Sequence, residues 1–275
     1  MKPWEVHQQD AVEWLRELET KSVDLIVTDP AYESLEKHRA KGTTTRLKVS
    51  KGSSNEWFPI FPNARFEELF AELYRVLKKD RHFYLMCDAE TMFVAKGVGE
   101  RAGFKFWKPL VWDKVSIGMG YHYRSRYEFI LFFEKGKRKL ADLGVPDIIT
   151  CKRVRGYPTE KPVPVVEVLV KQSTQPGEIV IDPFVGSGTT GVAAIRNDRR
   201  FFGCDIQEKA VIHSQMRLKE AWSAPQNPLA QAQKMMKSSC YGKEALAALE
   251  AGIKSAKEKP AVSLGSFAKF AKSSQ

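Results

Sequence analysis

Apolar and polar positions alternate along residues 4–222 in a way that predicts a sheet flanked by helices. Short runs rich in Val, Ile and Phe, which are typical of buried parallel strands, are separated by segments whose apolar side chains recur at helical spacing. This alternation favours an α/β fold. The predicted strands are 4–7, 23–27, 82–87, 109–112, 127–133, 179–181 and 200–204, and the predicted helices are 10–18, 63–77, 89–102, 164–172, 207–222 and one that begins at Thr189.

Two of these helices have clear start signals. Asp10 precedes the first helix and is expected to be its N-cap, a contribution of about 1 kcal/mol. Asn63 is expected to cap the second helix in the same way. The apolar stripes that follow are Ala11, Trp14, Leu15 and Leu18 in the first helix, and Phe66, Leu69, Phe70, Leu73 and Leu77 in the second.

The stretch 179–190 has the pattern of a nucleotide-binding turn. Asp182 and Pro183 end an apolar strand, and Gly186 and Gly188 then allow positive φ and close approach of the backbone to a ligand. A helix N-terminus follows, where backbone N–H groups are free to bind. An ordinary βαβ turn, in which the glycines only satisfy geometry, explains the Gly-x-Gly spacing by itself equally well.

Acidic residues at the ends of neighbouring strands favour the nucleotide-site interpretation. Asp205 ends the strand after the glycine turn, near the roughly 20-residue spacing at which such folds place a ribose-binding acid. Asp29 follows the strand 23–27 within the block Asp29-Pro-Ala-Tyr32. Ligands of open α/β sheets bind outside the carboxyl ends of the strands. We therefore expect this block and Asp182 to share one crevice.

Two blocks resemble the DNA amino-methyltransferases, which methylate adenine-N6 or cytosine-N4. Asp182-Pro-Phe-Val-Gly-Ser-Gly-Thr-Thr190, preceded by Thr159-Glu-Lys-Pro162, is similar to the family's S-adenosylmethionine site. Thr28-Asp-Pro-Ala-Tyr32 resembles its catalytic Asp-Pro-Pro-Tyr motif, with Ala31 in place of the second proline. The catalytic block precedes the cofactor block, which is the order of the family's β group. The resemblance covers residues 4–222.

The resemblance implies a Rossmann-like methyltransferase sheet, mostly parallel with one antiparallel strand, in the family's strand order 3-2-1-4-5-7-6 and circularly permuted, with inserted DNA-contacting loops. It implies S-adenosylmethionine as the cofactor and no metal. In this view Asp10 contacts the adenine, Phe184 packs beside the sulfonium, and Lys161 is available for the carboxylate. The residues implied for the cofactor are Asp10, Asp29, Thr159, Glu160, Lys161, Pro162, Asp182, Pro183, Phe184, Gly186, Ser187, Gly188, Thr189, Asp205 and Ile206.

The catalytic roles follow from the chemistry of an exocyclic amine, whose lone pair is delocalised into the base. The Asp29 carboxylate and the Pro30 carbonyl would each accept one N–H, and Tyr32 would stack on the base. The base must leave the duplex to reach them. An Asp at position 29 resembles the adenine-N6 enzymes. Cytosine-N4 methylation is the alternative, as is a catalytically weak DNA-binding protein of the same fold, which Ala31 leaves open.

The charge indicates a polyanionic partner, which we take to be double-stranded DNA. The chain has a net charge of +11 and a pI near 9.4. Segments 33–62, 118–126 and 134–158 are predicted to contact DNA; a solvated surface loop and an incidentally charged hairpin loop are the alternatives for the first two. The candidate residues are Arg39, Lys41, Arg46, Lys48, Tyr121, His122, Tyr123, Arg124, Arg126, Arg153 and Arg155.

Composition divides the chain into a methyltransferase domain, 1–222, and a basic appendage, 223–275, with a predicted helix at 242–257. The appendage is expected to contact DNA or a second copy in a homodimer, and a disordered tail is the alternative. No apolar run is long enough to span a bilayer, so we expect a cytoplasmic protein of a bacterium or phage, associated with the nucleoid. No Cys-x-x-Cys spacing links Cys87, Cys151, Cys204 and Cys240, so zinc and disulfides are not expected.

Overall fold

The computed structural model describes residues 2–34, 59–118, 122–154, 157 and 159–223. These residues form one eight-stranded sheet. Its strands are β1 (Trp4–Gln8), β2 (Val23–Thr28), β3 (Leu77–Cys87), β4 (Lys105–Asp113), β5 (Tyr127–Lys135), β6 (Ile148–Thr150), β7 (Ile179–Asp182) and β8 (Arg200–Asp205). The described helices are α1 (Ala11–Glu17), α2 (Phe66–Val76), α3 (Ala89–Arg101), α4 (Val163–Ser173), α5 (Thr189–Arg196) and α6 (Glu208–Ser223).

The strand order is β1-β8-β7-β2-β3-β5-β4-β6. Its first seven strands reproduce the order that the family resemblance implies, with the cofactor strand β7 at the centre. β5 runs antiparallel to both β3 and β4, while the other pairs are parallel. The α/β methyltransferase sheet is therefore confirmed, and the circular permutation stays a prediction.

Helices cover both faces of the sheet because successive strand residues point to opposite sides. In β3, the Phe83 ring lies 5.4 Å from the ring of Phe70 in α2. The next residue, Tyr84, shares a 2.8 Å hydrogen bond with the hydroxyl of Ser173 in α4. Both side chains are almost completely buried. Burial on both faces explains why the second half of β3, from Phe83 to Cys87, is apolar without alternation.

Two sequence-based boundaries are wrong at the start of this core. The prediction extends the second helix to Leu77 and starts the next strand at residue 82, but α2 ends at Val76 and β3 begins at Leu77. The charged residues Lys78 and Arg81 have the composition of a helix end. They belong to a strand because they pair with Asp24 of β2, at 2.9 Å and 3.0 Å.

Asn63 does not cap α2. It begins a 3-10 turn, Asn63–Arg65, that leads into the helix, and no side chain caps either element. Its backbone N–H donates to the Glu33 carboxylate at 2.8 Å. The Asp10 cap of α1 is confirmed, since its carboxylate accepts from the backbone of Val12 at 3.0 Å.

β6 was not predicted. It lies in the segment expected to contact DNA and adds a parallel edge strand beside β4, with Ile148 opposite Val111. A strand of this length carries too few side chains for periodicity to reveal it.

The prediction of a separate appendage concerns residues outside the described ranges, apart from Ser223, which ends α6. Among the described residues, no helix combines the length and apolarity that a bilayer crossing requires.

Asp24 joins the amino ends of three strands. Besides Lys78 and Arg81 of β3, it accepts from the backbone N–H of Ile179 in β7 at 3.0 Å. Burial alone would raise the pKa of Asp24, but the Ile179 N–H and the two cations lower it overall. The carboxylate therefore stays ionised and fixes the register of the strands whose other ends form the site.

We predict that Gly191→Ala destabilises the domain by about 1–3 kcal/mol, because an added methyl would overpack the core. A Cβ at this position would lie 2.5 Å from Leu218 and 2.6 Å from Phe201. Gly97→Ala in α3 is the matched control, since its Cβ would meet only the flexible end of Arg101 at 3.3 Å. Urea unfolding of both variants measures the difference, and equal stability would contradict close packing at Gly191.

Candidate active site

A cavity of about 520 Å³ opens at the carboxyl ends of β2, β7 and β8. Its walls include Tyr32 from the predicted catalytic block and Phe184 from the predicted cofactor block. The two blocks are far apart in sequence, and they meet because β2 and β7 are neighbouring parallel strands. The single crevice expected from the sequence is present.

Most of the predicted catalytic and cofactor residues line this cavity. The lining residues among them are Asp10, Asp29, Pro30, Tyr32, Thr159, Glu160, Lys161, Asp182, Pro183, Phe184, Gly186, Ser187, Thr189, Asp205 and Ile206. Pro162 and Gly188 are not among the lining residues. Pro162 is the N-cap of α4, and Gly188 is the N-cap of α5.

The glycine turn is held by the acid of the next strand. Asp205 accepts from the backbone N–H of Gly186 at 2.9 Å and from that of Gln207 at 2.9 Å. Gly186 and Gly188 have φ of 49° and 82°, a region that favours glycine. Burial raises the pKa of Asp205, and the two N–H groups oppose that rise. Each of its oxygens keeps acceptor capacity for a ligand hydroxyl.

Asp182 is buried at the tip of β7. One oxygen accepts from the Thr28 hydroxyl at 2.7 Å and from the Phe184 backbone N–H at 3.0 Å. Burial raises the pKa of Asp182 to about 6, despite these hydrogen bonds. A cationic ligand group beside it would favour the ionised form.

Asp10 is the N-cap of α1 and also lines the cavity. Its carboxylate caps the helix and also receives a bidentate pair from Arg65, at 2.7 Å and 2.9 Å. The Arg65 hydrogen bonds are the main reason why the pKa of Asp10 is lowered. The cap is thus observed, while the contact with an adenine stays a prediction. Arg65 was not identified from the sequence.

Asp29 lies in a row of alternating, partly buried charges. It forms an ion pair with Lys161, whose ammonium is 3.3 Å from Glu128, and Glu128 is 2.7 Å from Lys114. The sequence suggested Lys161 for the cofactor carboxylate, and the structure places it against Asp29. Burial raises the pKa of Asp29, although the charge of Lys161 opposes the rise.

The Tyr32 hydroxyl donates to Asp29 at 3.0 Å. Burial and the nearby Asp29 charge raise the pKa of Tyr32 well above its usual value, so the phenol remains a donor. The side chain is only 8% exposed, and it borders the cavity. Tyr32 therefore orients the carboxylate as well as offering a ring to the cavity.

Several lining residues were missed from the sequence. Phe61 is the clearest case: its ring meets Phe184 edge-on at 5.0 Å, and its backbone N–H donates to the Ala31 carbonyl at 2.8 Å. It follows a segment without periodicity, so the sequence gives no signal for its position. The other missed lining residues include Pro59, Ile60, Arg65, Trp112, Glu128, Val154 and Tyr157.

The predicted DNA-contacting residues fall into two groups. His122, Tyr123, Arg124 and Arg126 are exposed, and Arg126 pairs with Asp113 at 2.6 Å. Arg153 is exposed and borders the cavity. The remaining candidates lie outside the described residues: Arg39, Lys41, Arg46, Lys48, Tyr121 and Arg155.

The cavity suits a cationic nucleoside such as S-adenosylmethionine. Its lining contains six carboxylates, from Asp10, Asp29, Glu128, Glu160, Asp182 and Asp205, against three cations, from Arg65, Arg153 and Lys161. A Cβ placed on Gly186 would meet nothing nearer than 3.9 Å, so the turn borders open space. Aromatic, aliphatic and hydroxyl side chains supply most of the rest of the wall. Within the described part of the chain, no group of side chains suits a metal ion.

Comparisons with known proteins agree with this chemistry. A family model described as DNA methylase matches residues 23–149 and 142–216. YubD of Escherichia coli (strain K12), assigned as a methylase, is 32% identical over 216 residues, which cover 77% of this chain and 88% of YubD. The DNA adenine methyltransferase YhdJ of the same organism is 29% identical over 243 residues, which cover 74% of this chain and 78% of YhdJ.

Solved structures share the fold. M1.HpyAVI in complex with S-adenosylmethionine matches with a TM-score of 0.59 and 21% identity, covering 78% of this chain and all of M1.HpyAVI (100%). The cytosine-N4-specific PvuII DNA methyltransferase matches with a TM-score of 0.61 and 17% identity, and the match covers 78% of this chain and 86% of the PvuII enzyme. The family match, which extends over more than half of the sequence, shows that the chain belongs to the N6/N4 DNA methylases.

Proposed function

We propose that the protein methylates the N6 amine of a flipped adenine in double-stranded DNA, with S-adenosylmethionine as the methyl donor. The observation that carries the proposal is the shared cavity of Asp29 and Tyr32 with the glycine turn and Asp205. A methyl donor on the turn and a base beside Asp29 would face each other there. Alignment of two reactants in one site supplies much of such a rate enhancement.

The residues around the turn provide binding roles for the ribose, the adenine, the ammonium and the sulfonium of the cofactor. Asp205 accepts from the ribose hydroxyls with the lone pairs that Gly186 and Gln207 leave free. Asp10, with Arg65, borders the adenine region, and Asp182 receives the ammonium of the amino-acid end. Phe184 and Phe61 exclude water beside the sulfonium. When bound, the cofactor supplies the electrophilic methyl group.

Asp29 makes the amine a better nucleophile. Its carboxylate and the Pro30 carbonyl each accept one N–H, which concentrates electron density on nitrogen and turns it toward the donor. Burial raises the pKa of Asp29, but a carboxylate is still far too weak a base to deprotonate a neutral amine first. The proton therefore leaves after transfer, when nitrogen is cationic, and the Asp29 oxygen takes it. Electrostatics and positioning provide the acceleration.

Binding to DNA must offset the cost of extruding the base, a few kcal/mol. The exposed residues His122, Tyr123 and Arg124 offer cationic and aromatic contacts for phosphates and unstacked bases. Arg153, at the rim of the cavity, is placed to meet the strand from which the base is flipped. A homodimer on DNA, to which residues 223–275 contribute, is part of the same proposal.

Two observations favour adenine as the methylated base. Position 29 is an Asp, and the chain is similar to YhdJ, a DNA adenine methyltransferase. Cytosine-N4 methylation is the second candidate, because the PvuII enzyme with that specificity shares the fold. Expression in a methylation-free bacterial host followed by sequencing of modified bases distinguishes the two. We expect N6-methyladenine at one recognition sequence, and N4-methylcytosine in its place would contradict the adenine assignment.

We predict that Asp29→Ala lowers methyl transfer by about 100-fold or more, because an oriented charge at the reacting atom is lost. Cofactor affinity should be largely kept. Labelled-methyl transfer to unmethylated DNA and calorimetric titration of S-adenosylmethionine measure the two effects. A variant that still transfers at the parent rate would exclude Asp29 from catalysis.

Asp205→Ala should instead weaken cofactor binding and largely keep methyl transfer, so each variant is the control for the other. Loss of a charged hydrogen bond to the ribose is expected to weaken cofactor binding about 10- to 100-fold. Transfer at saturating cofactor should recover most of the parent rate. Equal cofactor affinity in the two variants would contradict the ribose assignment.

We predict that affinity for S-adenosylmethionine rises with pH up to about 6 and then levels off. Asp182, with a pKa of about 6, is neutral below that pH and ionised above it. A bound cation favours the ionised form, so protonation at lower pH opposes binding. Asp182→Asn keeps both hydrogen bonds to its oxygen and should reduce this rise. Identical pH profiles for parent and variant would place the cationic end elsewhere.

A further inference from the structure

We propose that Lys161 and Glu128 are positioning residues for Asp29, with Lys161 fixing the carboxylate and Glu128 holding Lys161. This inference rests on the proposed methyl transfer and assigns a role that the sequence did not suggest for either residue. The family resemblance implies Lys161 for the cofactor carboxylate, and it implies no role for Glu128. Neither residue needs to touch the base or the cofactor for this role.

The contact between Lys161 and Glu128 connects two ion pairs, Asp29–Lys161 and Glu128–Lys114. Lys161 forms an ion pair with Asp29, and its ammonium lies 3.3 Å from Oε2 of Glu128. The other oxygen of Glu128, Oε1, is 2.7 Å from the ammonium of Lys114. The side chains of Lys161 and Lys114 are 10% and 12% exposed and those of Asp29 and Glu128 are 23% and 24% exposed, so water screens these charges less than it would at the surface.

The ammonium of Lys161 donates to Asp29 and lies beside Glu128. If Lys161 bound the cofactor carboxylate in place of Asp29, the partly buried Asp29 carboxylate would lose its cation. Such a loss is costly in a low-dielectric site. The backbone also fixes Lys161, because its carbonyl accepts from the Thr189 hydroxyl at 3.0 Å at the start of α5. Lys161 therefore links the cofactor helix to the catalytic acid.

Glu128 explains how Lys161 remains in place during the reaction. When Asp29 takes the proton that leaves the methylated nitrogen, an N–H bond breaks and an O–H bond forms, and the carboxylate becomes neutral. Lys161 then keeps Glu128 as its counterion, since the charges of Lys161 and Lys114 lower the pKa of Glu128 in spite of its burial. Asp29 can release the proton to water and return to its ion pair.

The two positioning residues act on Asp29 with opposite sign. The charge of Lys161 lowers the pKa of Asp29, and the charge of Glu128 raises it. Removal of each charge should therefore move the acid limb of the pH–rate profile in opposite directions. The other titratable groups that face this cluster are unchanged in the variants: Tyr32, Cys87, Lys114 and Asp182.

The experiment compares Lys161→Met and Glu128→Gln with the parent chain in single-turnover methyl transfer over a range of pH. For Lys161→Met we expect a rate about 10- to 100-fold lower, because small misplacement of a reacting group has this effect. Its acid limb should move to higher pH, and that of Glu128→Gln to lower pH. Affinity for S-adenosylmethionine should stay within about twofold in both variants.

Lys108→Met is the matched control. Lys108 forms a pair with Asp147 on the exposed side of β4, at 2.6 Å, and lies outside the site. The methyl-transfer rate and the pH–rate profile of Lys108→Met should equal those of the parent. Thermal unfolding of each variant shows whether it is folded, and Glu128→Gln tests the inference by itself if Lys161→Met does not fold.

Three outcomes would overturn the inference. The first is loss of cofactor affinity in Lys161→Met with an unchanged rate at saturating cofactor, which would return Lys161 to the cofactor. The second is a shift of both acid limbs in the same direction, and the third is parent-like rates in both variants. Absence of methyl transfer by the parent chain itself would instead contradict the proposed function.

Discussion

The hydrogen bond between Thr28 and Asp182, 2.7 Å long, joins positions that are 154 residues apart. It closes the carboxyl ends of β2 and β7, the neighbouring central strands from which the two functional blocks emerge. At the other end of the same strands, the buried Asp24 fixes their register through Lys78, Arg81 and the Ile179 N–H. The site exists because both ends of this strand pair are tied.

The cavity is built around carboxylates whose environments differ. Burial raises the pKa of Asp182 and of Asp29, whereas the Arg65 pair lowers that of Asp10. Environments of this kind let similar side chains perform different tasks in one site. A cationic cofactor would complement the excess of acids in the lining. Methyl transfer needs proximity of the methyl donor and the amine more than it needs a strong base.

The sequence predicted correctly the features that depend only on residues close together in the chain. The Asp10 cap, the glycine turn and the acids at the strand ends depend on neighbouring residues, and the structure has each of them. Where distant partners decide, the prediction failed. The charged start of β3 was predicted as a helix end, because its stabilising partner Asp24 lies on another strand.

The sequence by itself determined the fold class, the strand tips that carry the acids, and the resemblance to amino-methyltransferases. These follow from periodicity and from motifs that need only short stretches of chain. Tertiary structure alone decided that Lys161 pairs with Asp29, that Glu128 bridges Lys161 and Lys114, and that Phe61 packs against Phe184. The physical reason is that ion pairs and ring contacts depend on distance in space, and these residues are brought together only when the sheet forms.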